Sequence, residues 1–442
     1  MRPDWFQYIL KLQGYPIAQA KAELKCIQSL SVDAFHSWQS DAKWSIAKHH
    51  YQHNEFYKKK VGNIFPNRWE DLPIITKQDL QQPLANIISN NISLKNCYTA
   101  STSGSSGTPF FFAKDKFAHA MTWAVIADRY KWCNIDQNAL QARFYGIPKE
   151  AAGKWKEQLK DTIMHRQRFD VFDLSDARLE QYLKRFTQTP FKYIYGYTNS
   201  LVLFARYLVS KNVVLNSGCP TLSLCISTSE VATPEDHALL QQAFGVSHIR
   251  EYGVSETCLT GFDHPSGNWL LTEETLFNEV AEDGTLLSTS LFNKALPMVR
   301  YEVGDRIQLN PELYGGKYHI INQLQGRIND TIHLPSGKVA AGLTFYYISR
   351  SILERTNSLK EFIIRQTAID TFIFDIVSNR ELTIDETNEI KNKTALYLEP
   401  GLKVVVNRVP QIQRTQAGKL KNFYSELAQV EKDSHTNPIL SS

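Results

Sequence analysis

The sequence has few of the features that tie a chain to a special environment. Its six cysteines, Cys26, Cys97, Cys133, Cys219, Cys225 and Cys258, are scattered over 442 residues and form no Cys-x-x-Cys pair. That scatter excludes a disulfide-stapled secreted scaffold and predicts reduced thiols in a cytoplasmic protein. No apolar run reaches the length that spans a bilayer, so no transmembrane segment is expected. The opening Met1-Arg2-Pro3-Asp4-Trp5 lacks an apolar stretch followed by a small-residue cleavage site, so no secretory signal is expected. An excess of one charge is missing too: 49 Lys+Arg face 45 Asp+Glu. A dedicated nucleic-acid binder would carry a basic stripe. The densest basic run, Lys58-Lys59-Lys60, is short and reads as a solvated helix face. Internal repeats and low-complexity tracts are absent.

What is present is the composition of a globular protein, with 43% hydrophobic and 21% charged residues. The length predicts two domains, one large and one small. Residues 1–90, rich in aromatics, lysine and glutamine, read as helices that brace the larger domain. From about residue 92 a Ser/Thr/Gly segment gives way to alternating strands and helices. Phe191 to Tyr195 reads as a strand ending at Gly196, and Leu201, Phe204 and Leu208 recur at helical spacing after it. Thr221 to Ser227 reads as a buried strand. Thr233-Pro234-Glu235-Asp236 is a helix start, with a Thr cap, a proline in the first turn and acids beside it, and Gly245 ends that helix. A strand from Ser247 to Glu251 follows. Such alternation implies an α/β architecture. Toward the C-terminus, strands over Glu361–Arg365, Thr371–Val377 and Leu402–Val409 with a helix over Leu382–Leu398 predict a small α+β domain. The boundary is expected at Gly326-Arg327, giving domains of 1–326 and 327–442.

Five segments carry chemistry. The first is Ser101-Thr102-Ser103-Gly104-Ser105-Ser106-Gly107-Thr108-Pro109. Small residues let backbone N–H groups approach phosphate oxygens, and the hydroxyls add donors. It is not a Walker loop, because Gly107 is followed by Thr-Pro rather than Lys-Ser/Thr. A flexible linker has the same composition. The second is Glu251-Tyr252-Gly253-Val254-Ser255-Glu256-Thr257: a strand-end tyrosine can stack on a purine, and a nearby glutamate can hold Mg²⁺ against phosphates. A serine-hydrolase elbow is excluded because Thr257 stands where glycine is required. The third, Leu296 to Arg306, contains Gly304-Asp305, in which an aspartate after a tight glycine turn can accept both ribose hydroxyls. The fourth is Gly326-Arg327-Ile328-Asn329-Asp330. The fifth, Arg414 to Lys419, sets a lysine on a glycine loop, where its charge can meet a developing negative charge. Cys258 and His264, with Cys219 and Cys225, match no closed zinc module and read as ordinary thiols and a surface imidazole.

In this order the five segments resemble the core motifs of the adenylate-forming superfamily: acyl-CoA synthetases, peptide-synthetase adenylation domains and luciferases. The resemblance covers roughly residues 98–421. It is nearest to the phenylacetate–CoA ligase branch with its capsular-polysaccharide-biosynthesis homologues of the CapK type, on the length, the Leu296–Asp305 segment and Ser227-Thr228-Ser229-Glu230. The resemblance implies a large multi-layer α/β domain and a small mobile α+β lid. It implies that Ser103, Gly104, Ser105, Ser106, Gly107 and Thr108 hold the β- and γ-phosphates of ATP. Ser229 and Glu230 would border the adenine, with Tyr252 and Gly253 against it. Glu256 would bind Mg²⁺, Asp305 the ribose, and Arg327 the ribose or a phosphate. Asp330 would be the hinge and Lys419 the catalytic lysine.

The chain departs from the branch in two places. Ser227-Thr228-Ser229-Glu230 lacks the two glycines often found there, and Leu334-Pro335-Ser336-Gly337-Lys338 replaces a glycine-rich turn that leads to Asn and Pro. The implied activity is formation of an acyl-AMP with release of pyrophosphate, then transfer to a thiol, CoA. The alternatives are transfer to an amine or sugar acceptor in polysaccharide biosynthesis, and an inactive nucleotide-binding scaffold. A homodimer is the default assembly.

Overall fold

The computed structural model describes residues 4–427 apart from 81, 103–109, 146–150, 170, 172–173, 175, 328–330, 338, 342–358, 379 and 413–422. The chain divides into two compact units, Met1–Leu324 and Gln325–Ser442. No helix among the described residues is long and apolar enough to cross a membrane.

The first unit opens with four helices of seven residues or more: α1 (Trp5–Leu12), α2 (Ile17–Ser29), α3 (Val32–His53) and α4 (Glu55–Val61). Ser31 caps α3 by accepting from the Ala34 N–H at 3.3 Å, and Phe35, Gln39, Ile46 and His50 face inward along it. The bracing role is visible at Ile75, whose backbone pairs with Tyr301 and accepts from the Glu302 N–H at 2.9 Å. The hairpin β1 (Cys97–Thr102) and β2 (Phe110–Asp115) pairs Thr102 with Phe110, so the serine-glycine segment joins two registered strands. Asp115 then caps α5 (Lys116–Trp132) by accepting from the N–H groups of Phe117 and Ala118.

Next come β3 (Gln141–Phe144), α6 (Ala151–Ile163), β4 (Arg166–Phe169), α7 (Asp176–Gln188), β5 (Tyr193–Tyr197), α8 (Thr198–Ser210), β6 (Leu224–Thr228), α9 (Pro234–Phe244) and β7 (Ser247–Val254). These strands pair in parallel in the order β4-β3-β5-β6-β7. The sheet continues from β7 through β8 (Cys258–Asp263), β9 (Trp269–Leu271), β13 (Tyr318–Arg327), β12 (Tyr301–Tyr314), β11 (Thr285–Ser290) and β10 (Leu276–Val280), eleven strands in all. The pairs β7–β8, β8–β9, β9–β13, β11–β12 and β10–β11 are antiparallel. Parallel strands need both faces covered. Ala142, Phe144, Ile194 and Cys225 pack one face against α7, α8 and α9, while Tyr193, Tyr195, Leu224, Ile226 and Ile249 pack the other against α2 and α5.

The second unit has a hairpin, β14 (Thr331–His333) and β15 (Val339–Ala341). It also has a sheet of β16 (Leu359–Ala368), β17 (Thr371–Ser378), β18 (Lys403–Arg408) and β19 (Phe423–Ser425) in the order β18-β17-β16-β19. Thr383 and Glu386 form a capping box at the start of α10 (Ile384–Tyr397), whose Ile390 joins Phe362, Ile364, Phe374 and Ile376 in a local core.

Strand bounds shift in several places; the strand expected over Thr221–Ser227 spans Leu224–Thr228. The strand expected over Phe191–Tyr195 runs instead from Tyr193 to Tyr197, straight through Gly196. A Cβ on Gly196 would sit 2.6 Å from the Phe144 Cβ, so this glycine permits close strand packing and does not end the strand. The strand expected to end at Glu251 continues to Val254 because β8 pairs back against it.

Candidate active site

β7 and β12 carry the described part of the site. The β7–β8 pairing shifts register between Tyr252 and Gly253, and the β11–β12 pairing shifts between Thr285 and Leu287, opposite the stretch Glu302–Arg306. Bulges of this kind re-aim side chains beside active sites. The expected Gly304-Asp305 turn is therefore a kink inside a continuous strand: Gly304 takes φ +87°, left-handed backbone that glycine adopts without strain. The Tyr252 hydroxyl donates to Asp305 Oδ2 at 2.7 Å, and the Tyr252 ring lies edge-on to Trp269. One turn on, buried Glu256 accepts at Oε1 from the Tyr301 hydroxyl at 2.8 Å. Two motifs about fifty residues apart thus meet as one polar seam.

Ser229 and Glu230 lie at the end of the neighbouring strand. Ser229 takes φ +71°, rare for a residue with a side chain, at the stretch where glycine was missing from the sequence pattern. The Glu230 carboxylate accepts from the Asn199 N–H at 2.8 Å and its carbonyl accepts from the Thr198 hydroxyl at 2.8 Å, which ties this segment to the start of α8.

The serine-glycine loop Ser103–Thr108 lies outside the described residues, as do Asp330 and Lys419, and Arg327 is described for its backbone at the end of β13. The hairpin that flanks the loop is nonetheless anchored at the site: the Lys114 ammonium on β2 donates to the Ser255 carbonyl at 2.9 Å, next to Glu256. Lys114, buried and 3.0 Å from Cys258 Sγ, was not singled out in the sequence. A lysine directly after Phe110-Phe111-Phe112-Ala113 is the signal that marks it. Tyr301, equally unremarked, is the residue that orients Glu256.

A hard cation favours carboxylate oxygens. Among the described residues Glu256 Oε2 accepts no hydrogen bond, so its lone pairs remain for a cation while Tyr301 fixes Oε1. The residues fit Mg²⁺ in that sense. The four zinc candidates lie in separate surroundings. Cys219 faces the Thr189 and Phe191 carbonyls, Cys225 is in the core, Cys258 faces Lys114 and Thr122, and His264 bonds Ser266. No cluster of three or more potential metal ligands occurs among the described residues.

No family model matches the chain. The chain is 23% identical to Protein CapK of Staphylococcus aureus over 379 residues, which span 82% of this chain and 80% of that one. Among solved structures it is similar to 2-hydroxyisobutyryl-CoA ligase bound to an acyl-AMP, with a TM-score of 0.68 at 14% identity, covering 92% of this chain and 93% of that one. Fatty acyl-adenylate ligases from E. coli and L. pneumophila align with a TM-score of 0.53 at 14% identity, over 78% and 72% of the respective chains. The chain has the fold of the adenylate-forming ligases.

Proposed function

We propose that this protein activates a carboxylic acid as an acyl-AMP, releasing pyrophosphate from ATP, and passes the acyl group to a thiol, CoA. The observation that carries the reading is the seam in which Tyr252, Asp305, Glu256 and Tyr301 meet, beside the hairpin that bears the serine-glycine loop. 2-Hydroxyisobutyryl-CoA ligase, which shares the fold, was solved with an acyl-AMP and with CoA, which supports the same chemistry here.

In the proposed first step a carboxylate oxygen of the substrate attacks the α-phosphorus. A carboxylate–phosphorus bond forms, the bond to the bridging oxygen breaks, and pyrophosphate leaves. Such chemistry asks the protein for positioning and charge stabilisation. Tyr252 and Gly253 lie against the adenine, bordered by Ser229 and Glu230, while Asp305 accepts from the ribose hydroxyls and Arg327 adds a donor. Ser103 to Thr108 enclose the β- and γ-phosphates. Glu256 would hold Mg²⁺, which when bound offsets the charge of the departing pyrophosphate. Lys419, brought in by the small unit as it turns about Asp330, stabilises the oxygens that link carboxylate and phosphorus. We place the protein in the cytoplasm, where reduced thiols and CoA are found together.

A second reading keeps the first step and changes the acceptor to an amine or sugar, as in capsule-type homologues; the similarity to Protein CapK favours it. Exchange of labelled pyrophosphate into ATP over a panel of acids tests the shared first step. With an accepted acid, Lys419→Ala is expected to lower exchange about 100- to 1,000-fold, the effect of removing one transition-state donor. Undiminished exchange would remove Lys419 from the reaction. Supplying CoA or amino sugars afterwards separates the two acceptors.

A further inference from the structure

The parallel block reads β4-β3-β5-β6-β7. From β3 the chain crosses through α6 outward to β4, whereas from β5 it crosses through α8 to β6 in the opposite direction. Where neighbouring strands send their connections to opposite sides, a crevice opens at their carboxyl ends and receives ligand. Here that point lies between β3 and β5.

The side chains gathered there do not suit a simple hydrocarbon. Tyr145, just after β3, and Tyr197, at the end of β5, have ring centroids 4.1 Å apart. One layer below, Arg143 and Tyr195 are register partners. The Arg143 guanidinium lies 4.0 Å from the Tyr145 ring and 4.7 Å from the Tyr195 ring. Its one hydrogen bond among the described residues is a 3.3 Å contact from Nη1 to Gln141, and its Nε is buried with no partner. Arg168, its partner across β4, differs: Asp161 accepts from Arg168 Nε at 2.9 Å and Glu157 from its Nη2 at 2.7 Å. Among the described residues Arg143 makes no such ion pair, although Asp161 and Glu251 act on its charge at longer range.

The carboxylate that approaches from β7 is already committed. Glu251 accepts from the Tyr195 hydroxyl at 2.6 Å, and the Thr228 and Tyr130 hydroxyls also bond it. Arg143, Tyr145 and Glu251 are each half-buried and keep some accessible surface. A guanidinium taken from water without a carboxylate is costly, and its planar fork matches a carboxylate better than any other common group.

We propose that the crevice between β3 and β5 receives the acyl portion of the substrate, and that Arg143 recognises a second carboxylate on it. The preferred substrate is then a dicarboxylic acid, of which one carboxylate is adenylated and the other held by Arg143. The inference rests on the adenylation reading and adds to it a substrate class and a specificity-determining residue.

The test uses the full chain and acid pairs that differ in one terminal group: glutarate against pentanoate, and terephthalate against 4-methylbenzoate. In pyrophosphate exchange, kcat/KM for the diacid of at least one pair should exceed that of its methyl partner by about tenfold or more, because a site built around a polar group rejects the analogue lacking it. Arg143→Met should abolish that preference through KM for the diacid, with KM for ATP held within about twofold. Arg143→Lys keeps the charge without the fork and should lie between the two, which also serves if the methionine variant does not fold. Preference for the methyl acids, or a diacid preference that survives both variants, overturns the proposal.

Acid binding without nucleotide separates the two readings. If no acid supports exchange, the adenylation reading fails. A rise in melting temperature with glutarate or terephthalate that is lost in Arg143→Met would still support the Arg143 site. Absence of both exchange and any diacid-dependent rise overturns it.

Discussion

Two arginines packed against the large sheet, one buried and one half-buried, are treated in opposite ways. Arg129, in α5, is fully enclosed; it meets Glu274 at 2.5 Å and Asp128 at 2.7 Å and stacks over Trp132 at 4.1 Å. Arg143, in β3, stacks over two tyrosines and forms no ion pair with a carboxylate among the described residues. The first guanidinium arrives with its counter-ions, which is how a structural charge is buried. The second is held by stacking and by longer-range interactions with Asp161 and Glu251, with no ion pair among the described residues. A buried ion pair whose partners are all internal holds the fold together; a buried ion without them is poised for something that is not part of the chain.

The contrast is sharpest in stability. Arg129→Met strands Glu274 in the interior and should destabilise the first unit by about 3–5 kcal/mol in urea unfolding, the effect of breaking a buried pair. The same substitution at Arg143 breaks no ion pair among the described residues and should shift stability by no more than about 1 kcal/mol. Equal losses at both positions would erase the distinction.

A third way to bury a titratable group is to keep it neutral, and three histidines do so. Burial lowers His50, His119 and His248 from 6.5 to about 3. Because the unfolded chain takes up protons near 6.5 and the folded chain does not until about 3, stability falls as pH drops through that window. Between pH 6.5 and 5 each should remove on the order of 2 kcal/mol. His248→Gln, which keeps a polar group beside Ser227, should flatten the acid limb measured by urea unfolding. An unchanged limb would mean that His248 is protonated in the folded protein. The Arg129 pair follows the same direction in a lower window: Arg129 holds the Glu274 carboxyl below the usual range despite its burial, so that pair weakens only as pH falls below the ordinary carboxylate range.

These differences explain what the sequence made legible. Tyr252, Glu256 and Asp305 stand in short segments that were marked by their resemblance to family motifs; that Tyr252 meets Asp305 and Glu256 meets Tyr301 came only with strand pairing. The α9 boundaries were legible from neighbours in the chain: Thr233 accepts from the Asp236 N–H, and Gly245 takes φ +69°. Arg143 was not legible. Its meaning depends on Tyr195, Gln141 and the absence of a carboxylate, and these come from strand register rather than sequence spacing. Gly196 misled for a related reason, since its role is to let β5 approach Phe144 across the sheet. Short-range signals announce turns, caps and backbone-built sites; a pocket assembled from several strands shows itself only once they are side by side.

The central claim is that an acid carboxylate attacks the α-phosphorus of ATP. An accepted acid labelled with ¹⁸O in both carboxylate oxygens, incubated with ATP, Mg²⁺ and CoA, tests it most directly by mass spectrometry of the nucleotide product. AMP carrying one ¹⁸O, left behind when the acyl group departs, is the expected product. Formation of ADP, or of AMP without label, would contradict it.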